Sequence, residues 1–320
     1  MFSSAPPKER AAGRWDDLPK ILRFGTSSWT YPGWKGSIYR RDYSSERAFR
    51  EQSLAEYAEH PWFGCVGIDS SFYGPPTAKT VDRYAAQTPS TFQWLPKVWE
   101  QITARSFGRD RVPRGFKPGD ANPAYLDPEV FSREVLPVWS RDGVAERTGP
   151  LIFQFASLGN RVRTTDIDAF ARKFDLFLGA VPDTLRYAVE IRTPALLQPW
   201  WFDLLHSHGV AHVFNHWDGM PSLNEQREVA SKSTVAPPGH HVMRLLTPLG
   251  TSYRESVEQF LPYDRIRAVQ GACREDTSTL IIDALHQRME TYVIANNRLE
   301  GHSPTTIEAI ATQVLDRMAP

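Results

Sequence analysis

Short apolar runs, each bounded by Gly, Pro, Ser or Asn, recur along the chain, and most of them end on a charged or amide side chain. The first three are Arg23-Phe24-Gly25-Thr26-Ser27, Cys65-Val66-Gly67-Ile68-Asp69 and Phe92-Gln93-Trp94-Leu95-Pro96-Lys97. Pro150 to Phe155, Tyr187-Ala188-Val189-Glu190-Ile191-Arg192, Ala211 to Asn215, His241 to Leu246 and Thr291 to Asn296 follow. Their length and their punctuation by turn residues predict strands. Between them the apolar spacing changes to a helical period. Leu54, Tyr57, Ala58 and Trp62 follow a cap at Ser44 or Ser45, and Thr77 caps a helix through Val81, Tyr84 and Ala85. Asp127-Pro128 opens a helix through Val130, Phe131, Val135 and Trp139, which Pro137 kinks or ends. Asp166 caps Ile167, Phe170, Phe174 and Leu178. Leu196, Trp200, Leu204 and Leu205 read as the next helix, and Val257 with Phe260 and then Leu280, Ile281, Ala284 and Leu285 as two more. Ser303 caps and Pro304 starts a final stripe of Ile307, Ile310, Ala311, Val314, Leu315 and Met318. Met220 to His240 carries no clear pattern.

This alternation predicts an α/β fold, a (β/α)8 TIM-type barrel in one domain over residues 23–320, behind a flexible tail over 1–22. Residues 98–127 stand out as a long loop insertion, made basic by Arg105, Arg109, Arg111, Arg114 and Lys117. An open doubly wound sheet is the alternative. Gly25, Gly33 and Gly36 lack the spacing of a phosphate-binding turn after the first strand, which counts against it.

In a barrel the downstream ends of all strands face one rim. Side chains alternate along a strand, so Ala188, Glu190 and Arg192 share one face, as do Gly67, Asp69 and Ser71, and Gln93, Leu95 and Lys97. Glu190 with Arg192 reads either as an ion pair sealing a strand end or as a site carboxylate held by a cation. Polar ends on other strands favour the site: Ser27 and Trp29, Asp69, Lys97, Gln154, then Asn215, His216 and Asp218, Arg244, and Asn296, Asn297 and Arg298. We take Glu190, Asp69 and Lys97 as candidate catalytic residues. Trp29, Trp34, Tyr73, Gln154, Arg192, Asp218, Arg244, Asn296 and Asn297 are the candidate substrate-binding residues. Trp29 and Trp34 belong to an aromatic, turn-rich loop suited to stacking on a ligand, whereas Trp94 shares parity with Phe92 and reads as core.

The 320 residues carry 37 basic and 37 acidic side chains, so no global field attracts nucleic acid or an anionic membrane, and anion binding has to be local. No apolar run reaches the length of a membrane span, and residues 1–14 do not read as a signal peptide. Two distant cysteines, Cys65 and Cys273, offer neither a redox nor a metal spacing, and a reduced, cytoplasmic protein is the expectation. His206, His208, His212 and His216 cluster, followed by His240-His241. A divalent metal on Glu190, Asp69, His216 and Asp218 is the minor alternative, because no metal-ligand spacing appears; no cofactor is predicted. The Gly-x-Ser-x-Gly elbow of Ser-His-Asp hydrolases is missing.

Phe24-Gly-Thr-Ser-Ser-Trp-Thr-Tyr-Pro-Gly-Trp-Lys-Gly36, Asp69-Ser-Ser-Phe-Tyr73, Lys97, Gly149-Pro-Leu-Ile-Phe-Gln154, Ala188-Val-Glu-Ile-Arg192, Arg244 and Asn296-Asn297 together resemble the YecE-like family, domain of unknown function 72. The resemblance runs from Arg23 to Met318. It implies a TIM-type barrel with these motifs at the rim and no known reaction. The chain departs from the family's pattern at Asp69, where Glu is more common, at Thr103-Ala104, where the pattern has Thr-His, and at Leu245-Leu246, where the Arg244 motif often continues to His.

Three functions fit these residues. The first is a hydrolase or lyase on a carbohydrate-like substrate, with Glu190 and Asp69 dividing acid and base or nucleophile work beside aromatic platforms. The second is an enzyme directed at the phosphate of a nucleotide, sugar phosphate or nucleic-acid end, with Lys97, Arg192, Arg244 and Arg298 as an anion clamp. The third is a ligand-binding or sensor module without chemistry. The expected partner is a small molecule or carbohydrate-like ligand with a possible anionic group, and neither a membrane nor general nucleic-acid affinity is expected.

Overall fold

The computed structural model describes residues 15–109, 112–159 and 162–319. Strands and helices alternate as β1 (Leu22–Thr26), α1 (Glu46–Ala58), β2 (Cys65–Ile68), α2 (Ala78–Gln87), β3 (Gln93–Pro96), α3 (128–139) and β4 (Leu151–Gln154). Then come α4 (Thr164–Ala180), β5 (Tyr187–Glu190), α5 (Pro199–Ser207), β6 (Ala211–His216), α6 (Leu223–Ala230) and β7 (His240–Leu245). Two helices, α7 (Tyr253–Phe260) and α8 (Gly271–His286), precede β8 (Glu290–Ala295), and α9 (Ser303–Met318) closes the chain. This is the single-domain (β/α)8 barrel that the alternation predicts. Among the described residues, no helix is long and apolar enough to cross a membrane.

Every strand pairing is parallel, and the strands run in the order β1-β8-β7-β6-β5-β4 with β2-β3 as a separate pair. Two seams complete the ring. Parallel bridges from Trp94 to Thr148 and from Lys97 to Ile152 join β3 to β4. Between β1 and β2 the Gly64 amide donates to the Phe24 carbonyl at 3.0 Å, and the two backbones come too close for a side chain. A Cβ on Gly25 would lie 2.1 Å from the Cys65 carbonyl oxygen, so only glycine fits.

The alternation of the strands divides the core in two. Inward positions such as Leu95, Ile152, Ala188, Val213, Val242 and Ile294 fill the barrel, while Phe153, Val189, Phe214 and Val293 face the helices. One step upstream, the barrel floor is polar: Glu290 pairs with Arg186 and Arg23, and the Tyr292 hydroxyl donates to Glu290 at 3.0 Å.

Five local expectations need correction. Residues 1–14 of the expected tail lie outside the described residues, but Trp15 packs its ring on Trp62 and Phe24, so the segment entering β1 is anchored. The segment after Met220 is not patternless, because Ser222 and Glu225 form a capping box that starts α6. Asp166 sits in the first turn of α4, which begins at Thr164, and His302 rather than Ser303 caps α9. Pro137 does not end α3; the helix widens into a π turn at Phe131–Val135 and continues to Trp139.

Gly25→Ala is expected to lower unfolding stability by about 3 kcal/mol, because backbone and not a flexible side chain blocks the new methyl group. Denaturant titration measures this. An unchanged midpoint would show that the β1–β2 seam opens without cost.

Candidate active site at the barrel rim

Glu190 ends β5 and Arg192 lies two residues on, so strand parity directs both toward the barrel axis. Arg244 arrives on the same level from β7, where it pairs with Asn215 of β6 and Ile294 of β8. Glu190 is completely buried, and both of its oxygens are engaged. Oε1 accepts from Arg192 Nε at 2.7 Å and from Arg192 Nη2, while Oε2 accepts from Arg244 Nη1. Burial alone would raise the carboxyl pKa, but the guanidinium groups of Arg192 and Arg244, with Lys97 behind them, outweigh it and pull the value down from 4.5 to about 2. A carboxylate held this way has no proton to give at neutral pH, and both of its oxygens accept from guanidinium groups.

Asp69, at the exit of β2, has a different environment. A third of its side chain is exposed, at 32 %. Its Oδ1 lies 3.2 Å from Lys97 Nζ and accepts from Arg244 Nη2 at 3.2 Å, so one guanidinium bridges Asp69 and Glu190. Lys97 is fixed by its backbone: its carbonyl accepts from Ser71 Oγ at 2.7 Å, and the next amide, that of Val98, donates to Ile152 at 2.9 Å. Gln154 Oε1 accepts from Arg244 at 3.3 Å and Arg192 at 3.4 Å, completing the belt from β4. Arg192 also lies flat against Trp217, 3.6 Å from the ring centroid.

Above this layer opens a cavity of about 390 Å³. Asp69, Tyr73, Lys97, Gln154, Arg192, Arg244 and Asn296 line it, with Glu190 beneath. The other predicted residues stand elsewhere. Trp34 is fully buried, stacked with Tyr39 and Tyr57, and its indole donates to Asn297 Oδ1 at 3.2 Å. Asn297 is equally buried; its Oδ1 also accepts from the Ser303 amide and hydroxyl, so it ties the aromatic loop to the start of α9 and does not line this cavity. Trp29 packs edge-on against Tyr84 in the core, and Asp218 lies beside the rim without lining the cavity. The aromatic loop is therefore a wall of the fold. The aromatic groups that do reach the cavity are Tyr73, Phe72, Trp217 and Tyr253. Phe72 and Tyr253 escaped the sequence reading: the first is flanked by the more prominent Tyr73, and the second reads as the first turn of an amphipathic helix.

The histidine cluster lies behind the strands. His212 accepts from Trp201 and meets Gln226, His241 stacks on Phe214 with centroids 4.6 Å apart, and His216 Nδ1 is 2.8 Å from the Thr247 carbonyl. Burial lowers the pKa of His212 to about 4 and that of His241 to about 3, which keeps both neutral. Among the described residues, no three His, Cys, Asp or Glu side chains gather as metal ligands, so His216 and Asp218 do not join Glu190 and Asp69 in one centre.

An eight-stranded barrel with a charged pocket over the downstream strand ends defines the class of (β/α)8 proteins with a rim site. The family model for "Protein of unknown function DUF72" matches residues 23–319, and the chain belongs to that family. A DUF72 family protein from Enterococcus faecalis, in a crystal structure at 3.10 Å resolution, superposes with a TM-score of 0.60 at 15% identity, covering 92% of this chain and 95% of that one. A DUF72 family protein from Thermotoga maritima gives a TM-score of 0.56 at 15% identity, with 93% and 98% covered. Both share the fold. No curated protein matches the chain.

The two carboxylates are expected to differ sharply in stability cost. Glu190→Gln leaves buried Arg192 without a carboxylate partner and Arg244 with only Asp69, and should cost about 3–5 kcal/mol at pH 7, while Asp69→Asn, a partly exposed pair member, should cost about 1 kcal/mol. Because the folded pKa of Glu190 lies below its unfolded value, its contribution is present above pH 4.5 and fades as the pH falls toward about 2. Denaturant titrations at pH 7 and pH 3 should therefore show wild type and Glu190→Gln converging at the lower pH. Equal costs for the two substitutions would contradict this electrostatic picture.

Proposed function

We propose that this barrel is an enzyme acting on a small organic anion, whose phosphate or carboxylate group binds the rim cations while Lys97 and Asp69 exchange protons with the reacting part. The carrying observation is the charge balance of the pocket. Lys97, Arg192, Arg244 and Arg298 face two carboxylates, Asp69 and Glu190, which leaves two positive charges in excess. Glu190 is spent on positioning Arg192 and Arg244. An anionic ligand supplies the missing negative charge, and guanidinium groups offer it paired donors. The cavity volume suits a metabolite rather than a polymer.

The carbohydrate reading with Glu190 and Asp69 as an acid and base pair is the weaker one. Glycoside cleavage needs one carboxyl group that holds a proton near neutral pH. The pKa of Glu190 is moved in the opposite direction. Lys97 has a better value for proton transfer: burial first, and Arg244 second, outweigh Asp69 and Glu190 and lower it from 10.5 to about 8.

Pyrophosphate at 10 mM, on the order of ten times a millimolar Kd, is expected to stabilise the protein by about 1.4 kcal/mol in thermal unfolding, relative to sodium chloride at equal ionic strength. Arg298→Ala should remove most of this gain, since Arg298 stacks on Tyr253 outside the buried ion network and its loss leaves the fold intact. Equal stabilisation by chloride, or an undiminished response in Arg298→Ala, would overturn the anion reading.

A further inference from the structure

We propose that Lys97 is a covalent nucleophile that forms an imine with an aldehyde or ketone substrate bearing an anionic group. The inference deepens the reading above and rests on it for the anionic group, though not for the amine chemistry. Three features of the rim carry it.

The first is placement. Lys97 follows β3, and its backbone is pinned on both sides, to β2 through Ser71 and to β4 through the Val98 amide. Its side chain is 11 % exposed, and that exposed part lines the cavity. A fixed amine at the edge of a small cavity meets the distance requirement of an attack on a bound carbonyl.

The second is the charge environment. The groups facing Nζ are Asp69 from β2, Glu190 and Arg192 from β5, and Arg244 from β7, with the Phe72 ring 5.6 Å away. Desolvation together with neighbouring guanidinium groups favours the neutral, nucleophilic amine. At pH 8 about half of the Lys97 side chains would be unprotonated, against well under one in a hundred for a solvated lysine.

The third is the partner acid. Asp69 Oδ1 lies 3.2 Å from Nζ and has a solvent-facing side. Its carboxylate can take up and return protons, a role closed to Glu190.

The step balances with one proton drawn from solvent. Neutral Nζ attacks the carbonyl carbon, the new C–N bond forms, and the C=O π electrons move to oxygen. A proton passes from nitrogen to that oxygen through Asp69, giving a carbinolamine. Asp69 then passes a proton taken from solvent to the hydroxyl, the C–O bond breaks, water leaves, and the nitrogen lone pair closes the C=N bond, so that a protonated imine keeping its one N–H remains. Its positive charge lies where the ammonium charge lay, against Asp69, so the pocket stabilises the intermediate with a contact it already makes. Meanwhile Arg192, Arg244 and Arg298 hold the anionic group of the substrate.

Trapping tests this in the full chain. The protein is incubated with pyruvate or, separately, with acetone in the presence of sodium cyanoborohydride, and the labelled lysine is located by peptide mass mapping. Pyruvate is expected to label Lys97 at least tenfold faster than any other lysine, with a rate that rises through a midpoint near pH 8. Lys97→Arg should lose that label. Asp69→Asn should shift the midpoint to lower pH, because removing the carboxylate further favours the neutral amine, a displacement that a purely structural lysine would not produce. Labelling spread evenly over the lysines, or none at Lys97 while pyrophosphate still stabilises the protein, overturns the imine proposal and leaves the anion reading standing. Acetone labelling of Lys97 as fast as pyruvate supports the nucleophile and overturns the anion clamp.

Discussion

The rim depends on one buried carboxylate. Glu190 pairs with Arg192 and Arg244 at once, and without it Arg192 would lie in the protein interior with no counter-charge and Arg244 with only the partly exposed Asp69. Removing charges from water costs several kcal/mol for each ion, and only close, well-directed pairing offsets that cost. Both oxygens of Glu190 are used for this purpose. Arg192, further supported by the face of Trp217, and Arg244, carried by the middle of the sheet, are therefore rigid before any ligand arrives. Preorganisation of this kind makes a cationic pocket useful, because the charges do not need to be gathered at the moment of binding.

The barrel supplies the geometry for this pairing. Parallel strands bring their downstream ends to one level, and the two-residue period turns Asp69, Lys97, Gln154, Glu190 and Arg244 inward above an apolar plug of Leu95, Ile152, Ala188, Val213 and Val242. The plug keeps water from entering from below, which strengthens the electrostatics above it. The result is a division of labour between two carboxylates of similar chemistry. Glu190, enclosed and doubly paired, fixes structure, while Asp69, partly exposed, stays in contact with both the lysine and the cavity.

Much of this was legible in the sequence, because parity within a strand is a local property. The placement of Glu190 with Arg192, and of Asp69 and Lys97 at one rim, needed only the alternation of side chains and the assumption of a barrel. What parity could not reveal is which groups consume one another. Glu190 reads as a catalytic acid until Arg244, from a distant strand, is seen to occupy its second oxygen. The aromatic loop misled for a related reason. Trp34 in a Gly- and Pro-rich turn looks like a ligand platform, yet a hydrogen bond to Asn297, 263 residues away, seals it in the core. Conversely, the capping box of Ser222 and Glu225 was readable in four residues, and the weak apolar pattern around α6 obscured it.

Glu190 as a permanently charged anchor, and not a proton donor, has a signature in its own titration. In protein labelled with 13C at the glutamate carboxyl groups, the Glu190 resonance can be assigned by its disappearance in Glu190→Gln and followed from pH 8 downward. The resonance is expected to stay flat to pH 4, as for a group whose pKa lies near 2. A titration with its midpoint at or above 4.5 would contradict it.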